Sequence, residues 1–280
     1  MKTFKDRFEE MYQKTEPEKH WRAELDLYEQ NGQNQRLPYH NGIHVMAVLR
    51  IAVCMRKMLG LPTIGKTAKA LEIAAVFHDL GHSGGPDISK DGQGRDNIER
   101  ALEALMNSPV VNRYPEHYIE FARELIEFTR YPHGPSPTAT NSRYTPDEVT
   151  TFQILRDADC MWALLPRFTR HVVWSLSMEN NGDVVGSEAE VDWDARGKIQ
   201  KDFLSAYTPG TSVGRALKNA HLETALAATD EAIEQLKGQR ISMDGNRAFS
   251  AAPLTTQAEQ ENLRTLALTL ASARLGRPRR

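Results

Sequence analysis

The run 66–80 is apolar on most of its faces, with Ala70, Leu71, Ala74, Ala75 and Phe77 leaving little polar surface. A helix patterned this way has to lie at the centre of a domain, because it has no face to give to water. It runs into His78-Asp79-Leu80-Gly81-His82, and Gly84, Gly85 and Pro86 then stop it. Two more clusters of this kind are attached to apolar, helix-patterned stretches: Tyr39-His40-Asn41-Gly42-Ile43-His44 and Asp157-Ala158-Asp159. So many imidazoles and carboxylates at the edge of a core point to something held there, and a metal ion is the obvious candidate.

The rest of the chain is patterned for helices too. Phe4, Phe8, Met11 and Tyr12 give residues 1–29 amphipathic spacing, followed by a polar joint at 31–35. Helices are expected at 43–59, stopped by Gly60 and Pro62, and at 97–106 and 116–128, with a polar loop at 87–94. The segment 132–146 holds four prolines and reads as a long surface loop. Thr145-Pro146-Asp147-Glu148 then starts a helix, with proline at the first helical position, that runs to residue 165. Asn180-Asn181-Gly182-Asp183 is a turn that joins two helices or closes a small hairpin before Val184-Val185. Further helices are expected at 194–207, 213–237 and 257–273, with a linker at 250–253. Without repeats or alternating strands, the fold class is all-α. The expected organisation is an N-terminal helical extension (1–36), a core (37–178) and a C-terminal helical region (179–280). The helices after Val213 would cap the site or form the surface of a homodimer.

Composition narrows the function classes. In 280 residues, 35 Lys and Arg face 37 Asp and Glu, a net charge of -2, so stable nucleic-acid binding is not expected. The basic run 274–280 reads as a frayed terminus. Two cysteines, Cys54 and Cys160, make no disulfide framework and suit a reducing compartment. With no apolar leader and no membrane-length apolar run, a cytoplasmic protein is expected.

His40 and His44 are four residues apart, as are His78 and His82, which places each pair on one face of a helix. Asp79 follows His78 directly, so both reach one metal only where the helix loses its regularity, and Gly81 supports such an ending. Two imidazoles and two carboxylates suit Zn, Mn or Fe better than Ca. A bridging carboxylate would admit a second, harder ion, Mg or Mn, and two such ions activate a water and clamp a phosphate. Asp157 and Asp159 compete for the last ligand position, since two residues apart on a helix they point to different faces.

These motifs resemble the HD superfamily of metal-dependent phosphohydrolases, an all-α fold with an ordered His…His-Asp…Asp pattern. Within it they look most like the cyclic-nucleotide phosphodiesterases. Tyr39-His40-Asn41-Gly42-Ile43-His44 resembles that family's Tyr-His-Asn-x-x-His, and Phe77-His78-Asp79-Leu80-Gly81-His82-Ser83-Gly84 its Phe-His-Asp-x-x-His-Pro-Gly. Ala158-Asp159 is similar to the pair that supplies its last ligand, and the segment 126–133 to a later one, so the likeness covers roughly 38–165. The resemblance implies His44, His78, Asp79 and Asp159 as ligands of a first divalent metal, with Asp79 bridging to a second. It implies a metal-bound hydroxide as nucleophile, His40 as the general acid for the leaving oxygen, and His82 beside the bridging water. For a nucleotide substrate it suggests Tyr39, Asn41, Thr129 and His133, with Glu127 nearby, and a purine grip from Gln200 and Phe203. The chain departs from the family at Trp162, where the family has Asn, and at Ser83, where it has Pro. No Gly-Tyr-Pro signature is present, which disfavours the cyclic-di-GMP branch.

The expected activity is hydrolysis of a nucleotide phosphoester, first of a cyclic mono- or oligonucleotide. A linear nucleotide or an alarmone is the second reading, with its extra phosphates on the 87–94 loop, Arg95, Arg130 and His133. A di-iron oxygenase would need further histidine ligands, for which His117 and His133 are the candidates. A non-catalytic nucleotide-binding protein would retain the site only as a relic.

Overall fold

The computed structural model describes residues 2–30, 37, 39–84, 95–130, 143–165, 168–180 and 192–237. Every regular element among them is helical: α1 (Phe4–Lys14), α2 (Arg22–Gln30), α3 (Gly42–Met58), α4 (Lys66–Phe77), α5 (Asn97–Met106), α6 (Glu116–Glu127), α7 (Pro146–Met161), α8 (Thr169–Asn180), α9 (Trp193–Ala206) and α10 (Ser212–Leu236). Short 3-10 turns lie at Pro17–Lys19, Pro109–Asn112 and Trp162–Leu164. Among the described residues no helix is long and apolar enough to cross a membrane.

Helices α3 and α4 form the centre. From Gly42 to Ala52 every residue of α3 is buried, and α4 packs against α3, α6 and α7. Each fully buried Leu, Ile or Phe here contributes roughly 1.5–3 kcal/mol. A smaller apolar cluster, with Trp174, Trp193, Ile233 and Leu236, holds α8, α9 and α10 together.

Three expectations need correction. The single helix at 1–29 is two helices, because Pro17 has no N–H to donate and pushes the residues before it out of the helical region. Thr15 is extended (φ -102°, ψ 116°) and Glu16 is non-helical (φ -127°, ψ 59°). Helix α4 stops at Phe77, short of Leu80. Helix α8 was not foreseen; Thr169, His171, Val172, Val173, Trp174 and Ser175 are all buried, so it shows no amphipathic period to read. The helix start at Thr145 does form as read, with Thr145 and Glu148 making a reciprocal capping box and Pro146 in the first turn. The 87–94 loop, the 132–142 part of the proline-rich loop, the Val184-Val185 hairpin, the 250–253 linker, the 257–273 helix and the basic tail lie outside the described residues.

The terminal helices are tied to the centre by polar contacts. Glu18 takes the Arg50 guanidinium of α3 in a buried pair (2.9 Å from Nε), and the Trp21 indole donates to Glu72 of α4 (2.8 Å). At the other end Asp157 of α7 accepts the Tyr207 hydroxyl (2.8 Å), the N–H groups of Gly210 and Thr211 (both 2.9 Å) and the Thr211 hydroxyl (2.6 Å). Gly214 of α10 lies so close that a Cβ there would stand 2.4 Å from the Asp157 carboxylate.

Candidate metal centre

The centre is built where α4 ends. His78 is its C-cap and keeps helical angles (φ -55°, ψ -29°), and Gly81 then turns the chain with a positive φ of 87° that favours glycine. His78 Nδ1 lies 3.0 Å from the Ala75 carbonyl, which can only accept, so Nδ1 carries the proton and Nε2 faces the site. His44, in the first turn of α3, presents its own Nε2 at 3.3 Å from that of His78. Asp79 Oδ2 is 3.0 Å from His44 Nε2 and 3.3 Å from His78 Nε2. Asp159 Oδ1, from α7, is 3.2 Å and 3.7 Å from the same two atoms.

This spacing fits a cation: donors 2.1 Å from a tetrahedral metal are themselves separated by about 3.4 Å. The two Nε2 atoms facing each other across 3.3 Å can share a cation or a proton between them. Without a metal, protons take that role. Burial works against charge on His44 and His78, but Asp79 and Asp159 outweigh it and raise both, His78 to about 9. Burial likewise opposes charge on Asp79 and Asp159, and the histidines hold both below the usual carboxylate range. Nitrogen and carboxylate donors of this kind suit Zn, Mn or Fe.

A second group adjoins the first. His40, Asp79 and His82 bring ligand-capable atoms within 4.8 Å of one another, so Asp79 borders both groups. The His40 and His82 rings stack at 3.5 Å and 15°. Glu179 of α8, 1% exposed, clamps His40: one carboxylate oxygen takes the ring Nδ1–H, and the other takes the backbone N–H groups of Tyr39 (3.0 Å) and His40 (3.2 Å). Burial pushes the His40 pKa down, but Glu179 and Asp79 together raise it. The His82 ring lies between the Gly84 N–H, 3.0 Å from Nδ1, and the Asn97 side-chain amide, 2.8 Å from Nε2, only one of which it can accept from. Asn97 Oδ1 in turn binds Ser83, and Arg100 binds the Gly81 carbonyl (2.8 Å), which straps the 81–84 turn to α5.

The other site candidates are distributed unevenly. Tyr39 lies against the His44 ring (4.9 Å, 29°) and accepts a hydrogen bond from the Trp162 indole (2.8 Å). Burial and the Asp159 charge keep its hydroxyl protonated. Asn41 is buried and works as the N-cap of α3: its oxygen takes the N–H groups of Ile43 and His44, and its amide donates to the Leu37 carbonyl. Thr129 is buried, with its hydroxyl on the Ile126 carbonyl (2.8 Å). Gln200 and Phe203 sit on α9, which packs on α10 and α8. No hydrogen bond, ion pair or ring contact among the described residues joins either to the cluster; Phe203 stacks on Tyr207 instead (5.9 Å). Glu127 and His117 are exposed on α6, and neither belongs to a metal-capable group among the described residues. His133 lies outside the described residues. Arg95 pairs with Glu103 and Arg130 with Asp96. Of the two competing aspartates, Asp159 faces the histidines and Asp157 faces the 207–211 loop.

Glu179, Asn97 and Arg100 went unread in the sequence, since none belongs to a motif. Trp162, which marked a departure from the family pattern, packs on His44 at 4.7 Å and closes that side of the site.

Residues 41–161 match the family model of the HD domain, a span that holds all four converging residues, His44, His78, Asp79 and Asp159. No curated protein and no solved structure matches the chain.

Proposed function

We propose that this HD-domain phosphohydrolase, with its His/Asp metal centre, cleaves a phosphoester bond of a nucleotide, a cyclic mono- or oligonucleotide before a linear one, with His40 as the general acid. A divalent cation on His44, His78, Asp79 and Asp159 supplies, when bound, Lewis-acid activation of a water and neutralisation of phosphate charge.

The observation that carries the reading is the Glu179 clamp. Because Glu179 takes the Nδ1–H of His40, the opposite nitrogen, Nε2, is the one available to hold a proton for transfer. Burial works against charge on the ring, but the carboxylate, with Asp79, raises the His40 pKa and favours the protonated form. Held by both ring and backbone, the ring cannot turn away from the centre. Its side chain keeps 18% of its surface exposed, enough to meet a leaving oxygen. Such an acid accelerates departure of a poor leaving group roughly 10²–10⁴-fold.

The cyclic preference rests on the Tyr39-to-His44 motif. The linear reading asks Arg95 and Arg130 to bind extra phosphates, yet each is engaged with an acidic partner. A panel of cyclic and linear nucleotides with Mn²⁺ or Mg²⁺ tests the substrate class. Absence of turnover on every cyclic compound sinks the first choice. The acid is tested by His40→Ala on two substrates. The variant should lose about 100-fold on a nucleotide ester and little on a p-nitrophenyl phosphodiester, whose leaving group needs no proton. Equal losses on both would remove His40 from that role.

A further inference from the structure

Past Phe77 the backbone tightens. The Leu80 N–H turns to the Phe77 carbonyl (3.0 Å) and the His82 N–H to the Asp79 carbonyl (3.1 Å). The Val76 carbonyl thereby loses the donor that a continuing helix would give it. The Ala75 carbonyl takes the His78 ring. The Val76 carbonyl is thus displaced from its helical donor beside the two residues that a metal would bind, in a buried place where polar groups must be paired.

The Tyr28 hydroxyl donates to the Val76 carbonyl at 2.8 Å and stands beside the backbone of Asp79. Tyr28 is 1% exposed and belongs to α2, outside the span that matches the HD domain. Its ring is part of the main apolar core, so the hydroxyl is delivered on a fixed arm. The approach to α2 is anchored separately by Trp21 on Glu72.

We propose that Tyr28 is a positioning residue of the metal centre: its hydroxyl sets the backbone from which His78 and Asp79 project, so the centre's affinity and geometry depend on a helix outside the HD domain. The proposal rests on the metal reading of the His/Asp cluster and is independent of the substrate. Outer partners that orient metal ligands change metal affinity by about 10–100-fold.

The test is Tyr28→Phe in the full chain, which keeps the ring and removes only the hydroxyl. Zn²⁺ affinity is read by competition with a chromophoric chelator, and ligand geometry by the visible absorption of the Co²⁺-loaded protein. Trp21→Phe serves as the control that weakens the same arm without touching the 76–79 backbone. Tyr28→Phe should bind Zn²⁺ about tenfold more weakly and shift the Co²⁺ bands. Trp21→Phe should melt lower with both readouts unchanged. If Tyr28→Phe matches the wild type in affinity and spectrum, or if both variants lose affinity in step with their melting temperatures, the proposal is wrong. Wild-type protein that takes up neither ion overturns the metal reading and this proposal together. Metal uptake without phosphoester turnover counts against the proposed function alone.

Discussion

Asp157 and Asp159 stand two positions apart on α7, the first fully buried and the second half-buried, and do opposite work. Asp159 turns toward His44 and His78, whose bonds outweigh burial and hold its carboxyl below the usual range. Asp157 turns toward Tyr207, Gly210 and Thr211; burial there raises its pKa even though four donors stabilise its charge. One carboxylate faces two imidazoles that could hold a proton or a cation. The other faces groups that only donate hydrogen bonds, and it ties α10 to the core. The side of the helix, not the residue type, decides which faces the histidines and which is a tie.

The sharpest way to break this division is to exchange each acid for its amide. Asp159→Asn should bind metal at least 100-fold more weakly and lose turnover in proportion while keeping its helical content, as equilibrium dialysis and circular dichroism would show. Loss of metal from Asp157→Asn with the fold intact would reverse the assignment.

Glu179 is a further acid, fully buried, and it should fall on the functional side of the comparison. Glu179→Gln should lower kcat about 100-fold. Because the carboxylate raises the His40 pKa, its removal should also move the alkaline limb of the pH–rate profile to lower pH. An unmoved limb would make Glu179 a structural tie like Asp157.

Asp157→Asn should instead cost about 2–3 kcal/mol of stability, since an amide sets its own N–H groups against main-chain donors. Metal affinity should hold. Thermal melts beside a Zn²⁺ titration separate the two effects.

The smallest effect is a pH dependence of the metal-free protein. His78 titrates at about 9 in the fold, against about 6.5 when unfolded. The stabilisation from its proton is therefore complete below about 6.5 and is lost as pH climbs through 9. Metal displaces those protons, so affinity should rise over the same interval. Calorimetry in two buffers of different ionisation enthalpy would detect the released protons, and binding without any release would contradict the arrangement.

The centre was legible because its residues sit at helix ends with punctuation around them. Glycine and proline marked where α4 gives way, and Pro146 marked the start of α7. The i,i+4 spacing did not set the pairs: α3 begins at Gly42 and α4 stops at Phe77, so His40, His78 and His82 lie outside the regular helices, and His44 meets His78 while His40 stacks on His82. Even the choice between Asp157 and Asp159 could be framed from helical geometry. Glu179 could not be read, because α8 is buried on so many sides that no period appears, and an acid in such a stretch looks like any other. Tyr28 was hidden for another reason: its contact is to backbone atoms, and no sequence pattern on either side announces it. The split between α1 and α2 was available in Pro17 and was outweighed by the amphipathic spacing around it. Gln200 and Phe203 lie on α9, which packs on α8 and α10.

The Glu179 clamp also bears on the order in which the molecule assembles. It closes 139 residues of chain, whereas the His44–His78 contact closes 34 and the Tyr28–Val76 contact 48. Pairings distant in the chain form late, because loop closure must be offset before they reward it. In refolding, metal-binding competence should therefore return before turnover does, and the Glu179–His40 clamp should be the last of these contacts to be set.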